Sequence, residues 1–159
     1  GSFYPMRKLT HIVIHCSDSL WGDVEDIIQW HTLPKPKGRG WKDIGYHYVI
    51  ANGFPNYDNK ASNKPDHFHD GLVQLGRPID MPGSHAQNFN KSSIGICMIG
   101  VNYFTDKQLY SLRTLLINLM QKYGIPKDNI IGHRDVMSAK LQGKTCPNFD
   151  VKKFVKESL

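Results

Sequence analysis

Eight consecutive residues, Ile94 to Val101, carry no charged side chain, and two of them are glycines. Within this run Ile94 to Ile99 is almost wholly apolar, which suits a central strand covered on both faces. A strand of that kind needs a layer above and a layer below it. The run is also far short of the roughly 20 residues that cross a bilayer, so no membrane insertion is expected.

The rest of the chain supplies those layers. Residues 9–15 are β-branched and alternate, reading as a strand, and Tyr46 to Ala51 reads as another. Leu72 to Leu75 suits a returning strand, and Ile130-Ile131 a short one. Thr105-Asp-Lys-Gln108 is a capping box opening a helix over 105–123. Leu109, Leu112, Leu116, Leu119 and Tyr123 mark its buried stripe, Gly124 its end. Asp23 caps a helix over 24–32, and Asp150 one over 151–157. Strands alternating with helices indicate an α/β fold, a central mixed sheet flanked by helices in a single domain. Residues 76–93 and 134–147 read as loops. Residues 54–71 are polar, aperiodic and best read as a surface insertion. Residues 1–8 are set aside as a tag remnant or N-terminal extension, with Gly1-Ser2 the scar and Met6 a natural start; residues 9–159 form the domain.

Composition narrows the chemistry. Twenty Lys and Arg against fourteen Asp and Glu leave a net charge of +6, which favours an anionic partner. The lysines are scattered and no nucleic-acid reader motif is present, so nucleic acid is not expected. Only Glu25 and Glu157 are glutamates, and no His-Glu-x-x-His helix exists, which excludes the largest zinc-protease class. Three cysteines at wide spacing do not make a disulfide framework. No apolar leader precedes residue 20, so synthesis in the cytoplasm without a signal peptide is expected.

Eight histidines are more than such a chain needs for packing alone. His15 ends the first strand, His133 follows the Ile130-Ile131 strand, and Cys146 lies thirteen residues further on. Two imidazoles and a thiolate can fill three positions of a tetrahedral zinc and leave the fourth to water. Capped strand ends and a core thiol would place the same residues there. His11 and His15 lie about 13 Å apart on a strand and do not share a metal. Neighbouring strand residues face opposite sides, so His47 turns away from Tyr46, and Cys16 away from a metal at His15. Cys16 and Cys97 read as core thiols. His67 and His69, in the insertion, read as surface loop residues.

Six segments then make a pattern: Ile14-His-Cys-Ser17, Gly45-Tyr-His-Tyr-Val-Ile50, Gly83-Ser-His-Ala86, Ser93-Ile-Gly-Ile-Cys97, Gly132-His133 and Lys144-Thr-Cys-Pro147. In this order they resemble the zinc-dependent N-acetylmuramoyl-L-alanine amidases of the amidase-2 family, most closely its small phage members. Peptidoglycan recognition proteins are more distant relatives. The resemblance runs from about Leu9 to Phe154. It implies one catalytic Zn2+ on His15, His133 and Cys146, catalytic roles for Tyr46 and Lys144, and a peptidoglycan or muropeptide substrate. His85, Asn88 and Arg134 are the candidate substrate contacts; Arg134 either binds a stem-peptide carboxylate or pairs with Asp135. A monomer is expected, acting at the cell wall or in the periplasm if the setting is lytic. A non-catalytic recognition module is the alternative, and retention of Cys146 with Tyr46 and Lys144 favours the enzyme. A thiol hydrolase built on Cys146 and His133 would differ from the zinc enzyme in surviving a chelator.

Overall fold

The structure, a computed structural model, describes residues 6–159, so the tag-remnant reading of Gly1-Ser2 lies outside the described residues. Five strands form one sheet in the order β3-β2-β4-β1-β5. They are β1 (His11–Cys16), β2 (Tyr48–Ile50), β3 (Val73–Leu75), β4 (Ser93–Met98) and β5 (Ile130–Gly132). β1 runs parallel to β4 and β5, β2 runs parallel to β4, and β3 alone is antiparallel, against β2. The expected mixed sheet is therefore the one observed. All six residues of β4 are buried, as its apolar run requires of a strand between two layers.

Alternation along the two central strands divides the core. Ile12, Ile14, Ile94, Ile96 and Met98 face one side, where they meet Leu112, Leu116 and Leu119 of the long helix and Val151 and Val155 of the last one. The long helix, Asp106–Tyr123, has the predicted capping box between Thr105 and Gln108 and ends at Gly124 with φ 66°. Gln108 is fully buried yet satisfied, donating from Nε2 to the carbonyls of Ile50 and Ile99. The helix therefore grips the ends of two strands through its first turn. Removing a stripe residue such as Leu116 would cost about 2–5 kcal/mol.

Val13, His15, Gly95 and Cys97 take the opposite side. Their neighbours include Ile27 of the helix Val24–Thr32, together with Ile44, Ala86, Val136 and Ala139. This layer is thinner and made largely of loops, so the face at the carboxyl ends of β1 and β5 stays open to solvent.

Two short helices escaped the sequence reading. Tyr57–Ala61 lies in the 54–71 segment and Met137–Leu141 in the stretch read as loop. Each has five residues, too few to display a helical period. The strand expected over 46–51 is confined to Tyr48–Ile50, although the His47 N–H still donates to the Gly95 carbonyl. No described helix is long and apolar enough to cross a membrane.

Candidate metal centre and cleft

His15 is the fifth residue of β1 and points to the thin side of the sheet. His133 begins a tight turn directly after β5, the strand that pairs with β1. That turn is fixed by Asp135, whose carboxylate accepts the Gly132 N–H at 2.9 Å. Cys146 arrives from the following segment, and its carbonyl accepts the Arg134 N–H at 2.7 Å. Two loops that carry candidate metal ligands are thus tied together through the main chain. The potential donor atoms of His15, His133 and Cys146 all lie within 4.8 Å of one another. The His15 and His133 rings are 4.5 Å apart between centroids.

These residues suit zinc by their chemistry as well as their spacing. Burial, aided by His85, His133 and Lys144, holds the His15 imidazole well below its ordinary pKa. Burial and Lys144 lower that of His133. Both rings are therefore neutral at ordinary pH and keep a lone pair for a cation. Two neutral imidazoles and a thiolate are a borderline-soft set with room for a fourth ligand.

The sulfur has unexpected company. The Cys16 main-chain N–H donates to Cys146 Sγ at 3.0 Å, and the two Sγ atoms are 3.5 Å apart. Cys16 does face away from His15, into the layer of Ile12 and Ile14, as alternation demands. The inference that this carries it away from the ligand cluster fails. Cys146 reaches over the end of β1 and meets Cys16 from the other side.

The cluster forms the floor of a cleft of about 640 Å³. Tyr46 lines it, its ring 5.0 Å from that of His15 and 5.5 Å from that of His31. Burial first, and nearby thiols second, push its phenol well above the ordinary tyrosine pKa, so it stays protonated. Lys144 is an exposed residue of the cleft wall, its N–H held by the Ala139 carbonyl at 3.0 Å. His85 and Asn88 also line the cleft, Asn88 with φ 72°. Arg134 does not line it.

Other residues fall where expected or close to it. His47 turns from Tyr46 and is buried, its Nδ1 accepting the Gly95 N–H at 3.0 Å. Cys97 is wholly buried. His69 departs from the surface reading: it is buried, its Nδ1 accepting the Gly53 N–H at 3.0 Å, while His67 is exposed.

Sequence reasoning missed the far wall of the cleft. Arg39 and Trp41 line it, with the guanidinium 4.8 Å from the indole centroid. They lie in a Pro/Gly/Lys segment, and their one readable signal is a bulky aromatic in an otherwise polar loop. Asn90 also lines the cleft, and its side chain caps two main-chain N–H groups in the Gly83–Ala86 turn.

Comparison with known proteins identifies the family and the fold. The family profile described as N-acetylmuramoyl-L-alanine amidase matches residues 5–149. The chain is 33% identical over 165 residues to the endolysin of Enterobacteria phage T3, across 96% of this chain and 89% of the phage protein. It is 32% identical over 113 residues to peptidoglycan-recognition protein SC2 of Drosophila melanogaster, across 69% of this chain and 52% of that one. Among solved structures, the N-acetylmuramoyl-L-alanine amidase LysC from Clostridium intestinale URNW matches with a TM-score of 0.72 at 27% identity, covering 95% of this chain and 85% of that one. By its six ordered segments, its fold and these matches, the chain belongs to the amidase-2 family of N-acetylmuramoyl-L-alanine amidases.

Proposed function

We propose that this enzyme hydrolyses the amide bond between N-acetylmuramic acid and L-alanine in peptidoglycan, with one zinc ion held by His15, His133 and Cys146. The observation that carries the reading is the convergence of these three donors on the floor of an open cleft. Zinc in such a site supplies Lewis acidity towards the amide carbonyl and lowers the pKa of a coordinated water towards 7.

The chain's own groups divide the remaining work. Tyr46 holds a proton at its phenol oxygen beside the cluster and orients the attacking water or the amide through it. Lys144 brings a positive charge to the wall where the carbonyl oxygen gains negative charge. Asn88 contacts substrate through its amide. Arg39 and Trp41 form an apolar and cationic wall suited to stem peptides that carry carboxylates. The net charge of +6 draws the protein to an anionic cell-wall polymer. The presence of the whole donor set with Tyr46 favours hydrolysis over recognition alone.

Digestion of purified sacculi, read by mass spectrometry, tests this. One portion of protein is stripped of metal and then resupplied with zinc. Stem peptides beginning at L-alanine are expected, lost on stripping and restored by zinc. Cleavage between sugars or within the peptide would overturn the bond assignment. Retained binding with no product in any arm would favour a recognition module. Activity unchanged by stripping would point to a thiol hydrolase.

A further inference from the structure

Both ring nitrogens of His85 are engaged inside the protein. Nδ1 lies 2.8 Å from Nε2 of His15, and Nε2 lies 3.2 Å from Oγ of Ser93. Ser93 is wholly buried, so its hydroxyl must find its partners within the fold. A substrate group could reach a His85 nitrogen only by displacing one of these two residues.

The ring is also held in place by construction. A Cβ at Gly83 would stand 2.5 Å from His85 Cδ2, and one at Gly95 2.7 Å from the same atom. Real Cβ atoms do not approach so closely, so these two glycines leave the slot that the imidazole fills. The main chain beneath it is pinned by Asn90, whose Oδ1 accepts the N–H groups of His85 and Ala86 at 2.8 and 2.9 Å. The Gly83-Ser-His-Ala86 and Ser93-Ile-Gly95 segments thus build a fixed imidazole directly behind His15.

We infer that His85 is a positioning residue for the metal ligand His15. It accepts the Nε2–H of His15 on its own Nδ1 and donates its own Nε2–H to Ser93 Oγ. Nε2 of His15 is thereby occupied, and Nδ1 is the ring nitrogen left unprotonated for a cation shared with His133 and Cys146. A ligating imidazole whose second nitrogen is anchored keeps its tautomer and its ring plane, and loss of such an anchor typically weakens metal binding about 10–100-fold. The inference rests on the zinc reading above and assigns His85 to the metal side of the cleft.

The test compares the wild-type chain with H85A and H85Q. Zinc affinity is measured by competition with a chromogenic chelator, and the proton of His15 is located by nitrogen-15 NMR of the zinc-loaded protein. In the wild type the His15 proton is expected on Nε2, exchanging slowly with water. H85A should lose about 10–100-fold in zinc affinity. H85Q should recover most of it, because its Oε1 can accept the same hydrogen bond. Zinc affinity of H85A within twofold of wild type, or a wild-type His15 proton on Nδ1, would overturn the inference. The wild-type NMR measurement decides even if H85A does not fold. Failure of the broader reading looks different: a wild type that binds no zinc overturns both, whereas one that binds zinc without cutting sacculi removes the hydrolysis and leaves the affinity comparison to decide on His85.

Discussion

Cys16 and Cys146 are separated by 130 positions in sequence, yet their sulfur atoms lie 3.5 Å apart across the end of β1. One of them is a proposed zinc ligand. The other donates its main-chain N–H to that ligand's sulfur. At that distance the two thiols can be joined by a disulfide once a two-electron oxidant is supplied and no metal holds Cys146.

Diamide, a diazene that takes up two hydrogens from two thiols, should therefore join Cys16 to Cys146 in the zinc-free protein. The mass should fall by about 2 Da, the weight of those hydrogens. Of three cysteines, only Cys97 should then react with a thiol reagent after denaturation. Zinc-loaded protein should resist, since its Cys146 thiolate is coordinated. Three free thiols after treatment of the zinc-free protein would contradict the contact.

Zinc should also raise thermal stability, because only the folded chain brings His15, His133 and Cys146 together. At a free concentration of 100 times Kd the gain is about 2.7 kcal/mol. For a domain of this size that corresponds to a rise in Tm of roughly 5–10 °C. C146A and H133A should show little or none of it, which differential scanning fluorimetry with and without zinc would reveal.

A separate loss of stability should appear on acidification of the metal-free protein. His31 and His47 are buried, and burial is the main cause that brings each pKa down to about 4 from an ordinary 6.5. Each Nδ1 accepts a main-chain N–H, from Gly45 and Gly95 respectively, and can do so only while unprotonated. The unfolded chain binds these protons near pH 6.5, whereas the folded chain resists until about pH 4. Their contribution is thus complete above pH 6.5 and is lost progressively as the pH falls to about 4, with little further loss below. The cost is at most about 3 kcal/mol for each residue. Urea denaturation between pH 7.5 and 4 would show the slope, and H47Q should flatten it.

Much of this architecture was legible because it is written in local pattern. The apolar run of β4 and the leucine stripe of the long helix each declare what they bury. The ligand cluster was a different matter. His15 and Cys146 lie far apart in sequence; residue type and strand-end placement made a zinc set with His133 only one of two readings, and it was the order of six short segments, through resemblance, that favoured it. What stayed hidden depends on where a loop lands in space. No spacing rule says that Cys146 crosses the end of β1 onto Cys16, or that His85 drops into a slot between Gly83 and Gly95. Arg134 shows the converse. A guanidinium beside a ligand suggests a carboxylate clamp, yet the tight turn after β5 uses its main chain to brace Cys146 and keeps it out of the cleft lining.

Tyr46 and Lys144 should separate chemistry from metal binding. The Tyr46 ring packs between His15 and His31, so Y46F removes one oxygen and keeps the apolar contact. If the phenol works on the water or the amide, kcat on a muropeptide should fall about 100-fold or more. Zinc affinity should stay within about twofold of wild type, because no ligand is lost. K144M removes the charge from an exposed position on the cleft wall and should leave Tm nearly unchanged. Its kcat should fall by about 100–1000-fold if that charge faces the developing oxyanion. Steady-state kinetics on a defined muropeptide, paired with a chelator titration of each variant, makes the division visible. A Y46F protein whose zinc affinity drops as far as its kcat would place Tyr46 with the metal's supports. A K144M protein altered only in KM would move Lys144 from the reacting oxygen to the binding of the stem peptide.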